Sequence, residues 1–156
     1  MNRLVIACAA ALSLPARAAA EEIALEDAPA VAREAAERIA PGLDFFRVNR
    51  EVEAGVVVYE FEAAGPRGEH MEIDIAEDGA LDEIEMQIDA ADLPAAVRSA
   101  LAARLPGFDI AYVETSVRRN GVFTYEIEGR TGAGDIVSVD IREDGEIVGI
   151  EAAAMS

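Results

Sequence analysis

The chain has 156 residues, of which 13 are basic and 31 acidic, and its formal net charge is −18. Nucleic acids and anionic membrane surfaces are bound by basic patches, so this charge argues against both as partners. There is one cysteine, Cys8, which leaves no second thiol in the chain for a disulfide.

The first 20 residues have the pattern of a secretory signal peptide. Arg3 supplies a positive charge, an apolar run extends from Leu4 to Leu14, and three alanines end at Ala20. The run is too short to span a bilayer, so we expect no membrane span. Cleavage after Ala20 would leave 11 basic and 31 acidic residues, a net charge of −20. We therefore expect a periplasmic or secreted protein; a lipoprotein signal ending at Cys8 is the alternative.

Two helices are predicted, one at the start of each half of the exported chain. Asp27 and Asp92 suit the N-cap position, and a proline follows each of them two residues later. The pairs Pro41-Gly42 and Pro106-Gly107 are typical of the residues that end a helix.

The residues after each helix alternate between apolar and polar, which predicts strands with one buried face. Val57, Tyr59 and Phe61 show this alternation in one strand, with glutamates between and after them. Asp-Gly pairs at Asp78 and Asp144 predict two-residue hairpin turns. Four strands are predicted after each helix. The predicted fold is α+β, with two tandem helix-plus-four-strand antiparallel repeats and the helices on one face of the sheet.

The second half of the chain repeats the first. Residues 55–62 return as 121–128, and residues 74–79 return as 140–145, both at a displacement of 66. A repeat of this size indicates a duplicated supersecondary unit, and each half alone would be marginally stable. The predicted organisation is a signal peptide and two repeats: residues 1–20, 21–90 and 91–156.

These motifs resemble PepSY-like domains, in the tandem form related to the β-lactamase-inhibitor protein fold. The similar features are a Pro-bearing helix that ends in Pro-Gly, the Tyr-Glu-x-Glu strand at 59–62 and the Asp-Ile-x-Glu-Asp-Gly segment at 74–79. The resemblance covers roughly residues 27–152. It implies an exported, non-enzymatic module with one concave sheet that binds or restrains other proteins, peptidases among them. It brings no catalytic motif.

The strand pattern also predicts an acidic surface. If the apolar residues of each strand face the helices, the alternate residues face away, and strand pairing brings their carboxylates together. We call this surface the acidic sheet face. Its candidate binding residues are Glu60, Glu62, Glu72, Asp74, Glu85, Glu126, Glu128, Asp140 and Glu151. Two explanations stay open: a solvated face of a very acidic chain, or a surface that binds a cation or a basic partner.

Two further features have plainer explanations. The spacing from Asp74 to Glu85, with Asp78-Gly79 between them, matches most ligand positions of an EF-hand loop. However, Ala76 replaces one ligand and the flanks read as strands, so calcium is the less favoured alternative. His70 is the only histidine, and no second histidine is available to complete a metal site. We expect it to be an exposed residue at a strand edge.

The chain has no Gly-rich phosphate loop, no Gly-x-Ser-x-Gly elbow and no HExxH helix. We therefore expect no enzymatic activity, no cofactor and no dedicated metal centre. The predicted function is that of an exported PepSY-like interaction module, which binds a protein or peptide, a basic one, through its sheet face or loops. The alternative is the binding of a cation by clustered carboxylates.

Overall fold

The computed structural model describes residues 20–53 and 55–152, so the predicted signal peptide lies outside the described residues. In this part of the chain, one antiparallel sheet of nine strands carries two ten-residue helices. The helices are α1 (Ala30–Ile39) and α2 (Ala95–Arg104). The strands are β1 (Glu21–Ile23), β2 (Phe45–Glu53), β3 (Val56–Ala64), β4 (His70–Ala76), β5 (Leu81–Gln87), β6 (Asp109–Arg118), β7 (Phe123–Arg130), β8 (Ile136–Ile141) and β9 (Ile147–Ala152).

The predicted α+β fold of two tandem helix-plus-four-strand repeats is wrong. The structure is mostly β, with 49% strand and 20% helix, and its strands follow each other from β1 to β9 in a single sheet. β5 pairs directly with β6, from Glu83 opposite Arg118 to Gln87 opposite Glu114. Alternation along each strand could not reveal this pairing, because α2 separates the two strands in the sequence. The predicted division at residue 90 stays a prediction.

Both helices begin later than predicted. Pro29 and Pro94 occupy the N-cap positions, whereas Asp27 and Asp92 end short 3-10 turns before them. The residue before a proline is disfavoured in the helical conformation, and Ala28 accordingly has an extended ψ of 145°. None of the helices in the described ranges is long and apolar enough to cross a membrane.

The core lies between the two helices and one face of the sheet. Ala32 and Ala36 of α1 are fully buried in the same cluster as Phe61 of β3. Their small side chains let the helix approach the sheet closely. Val97 of α2 is fully buried in a second cluster, together with Ile127 of β7. The opposite face of the sheet is therefore the one that carries the alternate, acidic residues.

The β4–β5 turn contains three residues rather than the predicted two. The backbone N–H of Ala76 donates to the carbonyl of Ala80 (2.9 Å), and Gly79 has a φ of +83°. A three-residue loop with glycine in the left-handed region is a common hairpin connection. The Asp78 carboxylate accepts the N–H of Ala80 (3.0 Å) and so contributes to the turn.

The β4–β5 and β8–β9 hairpins have the same register. Ile75 pairs with Leu81 in the first hairpin, and Ile141 pairs with Ile147 in the second. Each residue of the second pair lies 66 positions after its counterpart in the first. Both hairpins also have a one-residue irregularity at the same place, next to this pair.

Candidate functional site

The nine predicted site residues all lie on the sheet face opposite the helices. Strand pairing arranges them in rows across the sheet. One row runs from Glu60 through Asp74 to Glu83. The next row runs from Glu62 through Glu72 to Glu85. On the other side of the β5–β6 junction the remaining predicted residues are Glu126 paired with Asp140, Glu128 paired with Ser138, and Glu151 paired with Ser138.

The carboxylates differ strongly in burial. Glu62 and Glu85 are each 4% exposed and Asp74 is 2% exposed. Glu60 is buried as well, while Glu72, Glu126, Glu128 and Asp140 are half-buried, and Glu151 is exposed. Because no helix or strand of the described residues covers this face, the burial comes from neighbouring side chains on the same face. A fully solvated face does not describe this surface.

Basic and amide side chains surround Glu62. Arg47 Nη1 donates to both Glu62 carboxylate oxygens (3.1 Å each). Asn49 Nδ2 donates to Glu60 Oε1 (2.6 Å) and to Glu62 Oε1 (3.0 Å). Burial alone would raise the pKa of Glu62, but the hydrogen bonds from His70 and Arg47 outweigh burial and lower it. Glu62 is therefore held in its ionised form.

His70 is part of this surface, and the expectation of an exposed edge residue is wrong. Its side chain is 30% exposed, with Nε2 2.9 Å from Glu62 Oε2 and Nδ1 3.3 Å from Glu72 Oε1. The Tyr112 hydroxyl lies 3.4 Å from Nδ1. The exposed ring of Phe46 lies beside the imidazole, at a centroid distance of 6.3 Å. The imidazole thus bridges two carboxylates of adjacent strands.

A second basic residue, Arg118, contacts the row that runs from Glu60 through Asp74 to Glu83. Arg118 Nε lies 3.1 Å from Glu83 Oε1, and the buried Ser116 hydroxyl donates to the same oxygen. Both donors come from β6, whereas Glu83 belongs to β5. These bonds connect the two strands whose pairing makes the sheet continuous.

Three carboxylates form a compact group that we call the central cluster: Glu85, Glu114 and Glu126. One carboxylate oxygen from each lies within 4.8 Å of the others. The cluster adjoins a cleft of about 490 Å³. The cleft is lined by His70, Glu72, Gln87, Tyr112, Glu114, Glu126 and Glu128. Four of its seven lining residues are therefore glutamates, and two carry rings.

Protonation is favoured around the central cluster. Burial, followed by the charges of Glu126 and Glu72, raises the pKa of Glu114 to about 8. Burial and the charge of Glu126 raise the pKa of Asp140 to about 6. The same two causes raise the pKa of Glu128. Near neutral pH this region therefore holds more protons than isolated carboxyls would, because full ionisation would place like charges close together.

The arrangement can bind a cation. Clustered carboxylate oxygens suit hard divalent ions, and they suit guanidinium and ammonium groups equally well. The EF-hand reading does not fit, because Asp78 is used in its turn while Asp74 lies in the Glu60 row of the sheet. A cation would therefore bind on the acidic sheet face, where the sequence placed the candidate residues, and not in the hairpin loop.

The sequence identified the face but missed several of its residues. Glu114 was detectable, because it alternates along the strand with Val113 and Thr115, which lie opposite the core residues Ile127 and Tyr125. Tyr112 and His70 were not detectable as neighbours, since 42 positions separate them in the chain. Of the predicted residues, Glu85 and Glu126 meet in the central cluster, whereas Glu151 lies exposed on the last strand.

No family model matches the chain, and no curated protein matches it. Solved structures do match. One is a DUF2874 family protein from Bacteroides uniformis, with 17% identity, a TM-score of 0.65 and coverage of 80% of this chain and 88% of that one. Another is a protein from Bacteroides eggerthii provisionally described as periplasmic, with 15% identity, a TM-score of 0.65 and the same coverages.

A third match is a BLIP-like protein from Bacteroides fragilis, with 15% identity, a TM-score of 0.61 and coverage of 82% of this chain and 89% of that one. At these identities the likeness concerns the fold, which is BLIP-like. The finer PepSY-like assignment is not confirmed. A periplasmic description among the matched structures supports the periplasmic location that the signal-peptide pattern predicts.

Proposed function

We propose that the protein is a periplasmic, non-enzymatic binding module whose acidic sheet face takes up basic side chains of another protein or peptide. The observation that supports this most is the cleft of about 490 Å³ beside the central cluster. Burial and the charges of Glu126 and Glu72 oppose the ionisation of Glu114 and raise its pKa to about 8. A cation placed among them would relieve that repulsion.

The two parts of the face would have different roles. Around Glu62, Arg47 forms an ion pair with the carboxylate and the His70 ring lies within hydrogen-bond distance of it, so the charge of Glu62 already has partners in the protein. Around the central cluster, the hydroxyl of Ser138 donates to Glu126 (2.8 Å), and no arginine is paired with Glu114 or Glu126 in the described residues. A positive charge from a partner should therefore stabilise the carboxylates of the cleft more than those around Glu62.

The shape and chemistry of the cleft suit an arginine or lysine side chain. Carboxylates bind a guanidinium through charge-assisted hydrogen bonds, and an aromatic ring can cover its face. Tyr112 lies in the cleft lining, next to Glu114 and Glu128. The BLIP-like fold adds support, because it presents one broad sheet face to solvent. We propose a basic segment of a protein as the partner.

The test is affinity capture with the exported protein as bait in a periplasmic extract. The face variant carries Glu114→Gln, Glu126→Gln and Glu128→Gln, which keep the side-chain shapes and remove three carboxylates. A matched control carries Glu34→Gln, Glu37→Gln and Glu143→Gln, which are exposed and lie off this face.

We expect the parent and the control to capture the same partner, eluting as salt rises, and the face variant to lose it. Equal capture by all three proteins would contradict the proposal, because the charge of the cleft would then have no part in binding.

A second candidate function is binding of a divalent cation at the central cluster. The observation in its favour is the approach of three carboxylate oxygens within 4.8 Å. A ligand that binds only the folded protein raises its melting temperature. We would therefore compare melting curves in calcium and in magnesium at equal ionic strength. A rise that the Glu126→Gln variant abolishes would support a metal site; identical curves would remove this candidate.

A further inference from the structure

The outer edge of β9 is a second surface of interest. β9 is the last strand in the sheet order, and β8 is its one strand neighbour in the described residues. We infer that this edge is a docking site for an extended basic segment of a partner protein, added to the sheet as a tenth strand. This surface is separate from the cleft of the proposed function.

The outer edge of β5 is equivalent to that of β9, and the strand that covers it shows what an added strand would look like. β9 occupies the same place in its hairpin as β5 does, with register kept throughout: Glu72 pairs with Glu85, and Ser138 pairs with Glu151, 66 positions later. In β5, however, the outer edge is covered by β6. Among the described residues, the sheet thus contains one copy of this edge that a strand covers and one copy that no strand covers.

β6 covers the β5 edge with backbone and side-chain contacts together. The N–H of Ile88 donates to the carbonyl of Val113 (3.0 Å), and the N–H of Arg119 donates to the carbonyl of Asp82 (2.7 Å). Even-numbered residues of β5 therefore direct their backbone groups towards β6, since alternate residues of a strand share a direction. Their counterparts in β9 are Val148, Ile150 and Ala152.

The side chains of β6 differ between the two faces of the sheet, and on each face they match the side chains of β5. Towards the helices, Val117 lies opposite Ile84. On the acidic sheet face, Ser116 lies opposite Glu85, and Arg118 forms an ion pair with Glu83 (3.1 Å). The covering strand is therefore apolar on one side and supplies hydroxyl and guanidinium donors on the other.

β9 shows the consequences of lacking such a cover. Glu151 is exposed, whereas its counterpart Glu85 is 4% exposed. Val148 is 36% exposed. Proteins commonly protect an edge strand with charged side chains, proline, a bulge or a very short strand. β9 has six residues without lysine or proline, and its protecting features are Glu151 and the one-residue irregularity beside Ile147. The opposite edge is protected, because β1 has three residues and two of them are Glu21 and Glu22.

Charge identifies the occupant. Glu151 projects on the acidic sheet face, where an added strand would place its own polar side chain opposite. A second copy of this chain would bring its own acidic sheet face to this edge, and each chain carries a net charge of −18. Like charges opposite each other are destabilising. A strand with arginine or lysine opposite Glu151, and a β-branched residue opposite Ile150, fits instead.

The probe is a ten-residue peptide with the sequence of β6, Asp109–Arg118, in which arginine replaces Glu114 and Ser116. It is added to the exported protein, and amide hydrogen exchange is followed by NMR. We expect the amides of Ile150 and Ala152 to exchange about tenfold more slowly when the free peptide is at about ten times its Kd, because exchange then occurs from the unbound fraction.

Two variants make the test specific. Glu151→Arg should weaken peptide binding by about three- to tenfold, as expected for reversal of one partly exposed charge pair. Glu143→Arg changes the net charge equally but lies in the β8–β9 turn, and it should have a much smaller effect. Ala152→Pro removes an outward N–H from an exposed position that can accept proline, and it should abolish the protection at Ile150.

Three results would overturn the inference. Unchanged exchange at Ile150 and Ala152, at a peptide concentration that saturates binding, would show that the edge is not used. Equal loss of affinity in the Glu151→Arg and Glu143→Arg proteins would show that net charge alone governs binding. Sedimentation as a dimer that Ala152→Pro dissociates would make a second copy the occupant. The triple glutamine variant of the cleft should retain protection at Ile150, which separates this test from the previous one.

Discussion

Replacing Glu114 with glutamine should stabilise the protein, by an amount that grows as pH rises from about 4.5 to about 8. The pKa of Glu114 is raised from 4.5 to about 8, first by burial and then by the charges of Glu126 and Glu72. A carboxyl whose pKa is higher in the folded state binds its proton more tightly there. Its contribution is therefore intact below the unfolded value and is lost as pH rises towards 8.

The size of the effect follows from the same values. The pKa of Glu114 differs by about 3.5 between the folded and the unfolded state. Since a difference of one corresponds to about 1.36 kcal/mol, the free energy of unfolding changes by at most about 5 kcal/mol. Glu114 is half-buried and its neighbours can take up protons in its place, so solvent screening reduces the expected gain to about 1–3 kcal/mol at pH 8. For a domain of this size that is a rise in Tm of roughly 3–12 °C.

Thermal or urea unfolding at pH 5 and pH 8 measures this gain. Parent and Glu114→Gln should differ little at pH 5, where Glu114 is protonated in the folded parent, and should diverge at pH 8. Glu143→Gln, at an exposed turn position, is the control and should leave stability within about 0.5 kcal/mol of the parent at both pH values. A gain that is the same at both pH values would refute the reasoning, since the repulsion would then not depend on ionisation.

Three further substitutions test other parts of the sheet. Glu62→Gln should destabilise by about 1.5–3 kcal/mol near neutral pH, because Arg47 and His70 lose an ionised acceptor. The pKa of Glu62 is lowered, so in the parent this contribution is present above about pH 4.5 and is lost as pH falls further, which urea unfolding from pH 7 to pH 3 would show. Tyr59→Ala and Tyr125→Ala should each cost about 2–4 kcal/mol, because both rings are buried in the core, at 6% and 9% exposure. An unchanged urea midpoint in either protein would mean that the ring does not contribute to packing.

The contrast between Glu62 and Glu114 shows what alternation can and cannot predict. Both residues alternate with apolar neighbours, so their position on the acidic sheet face follows from the sequence. Whether each is stabilising depends on what lies opposite across the strands. Arg47 lies opposite Glu62, whereas Glu126 lies opposite Glu114. Register is set by the folded sheet, so the opposite signs of these two effects required the structure.

The same reasoning explains the error in fold class. The pattern of apolar residues located both helices and the four strands after each of them, because those signals are local. It contained no signal for the pairing of Glu83 with Arg118, which joins β5 to β6 and makes one continuous sheet. β1 was missed because a strand of three residues is too short to show alternation.

Binding of a basic partner should release protons from the acidic sheet face. At pH 7 the raised pKa values of Glu114 and Asp140, about 8 and about 6, leave the acidic sheet face partly protonated. A basic partner in the cleft favours the ionised carboxyls, so binding should release protons and affinity should rise between about pH 6 and pH 8. Calorimetric titration in two buffers of different ionisation enthalpy measures the number released. The Glu114→Gln protein should release fewer protons and show a flatter pH dependence. If parent and variant release the same number, Glu114 does not respond to the partner, and the cleft is not where the positive charge binds.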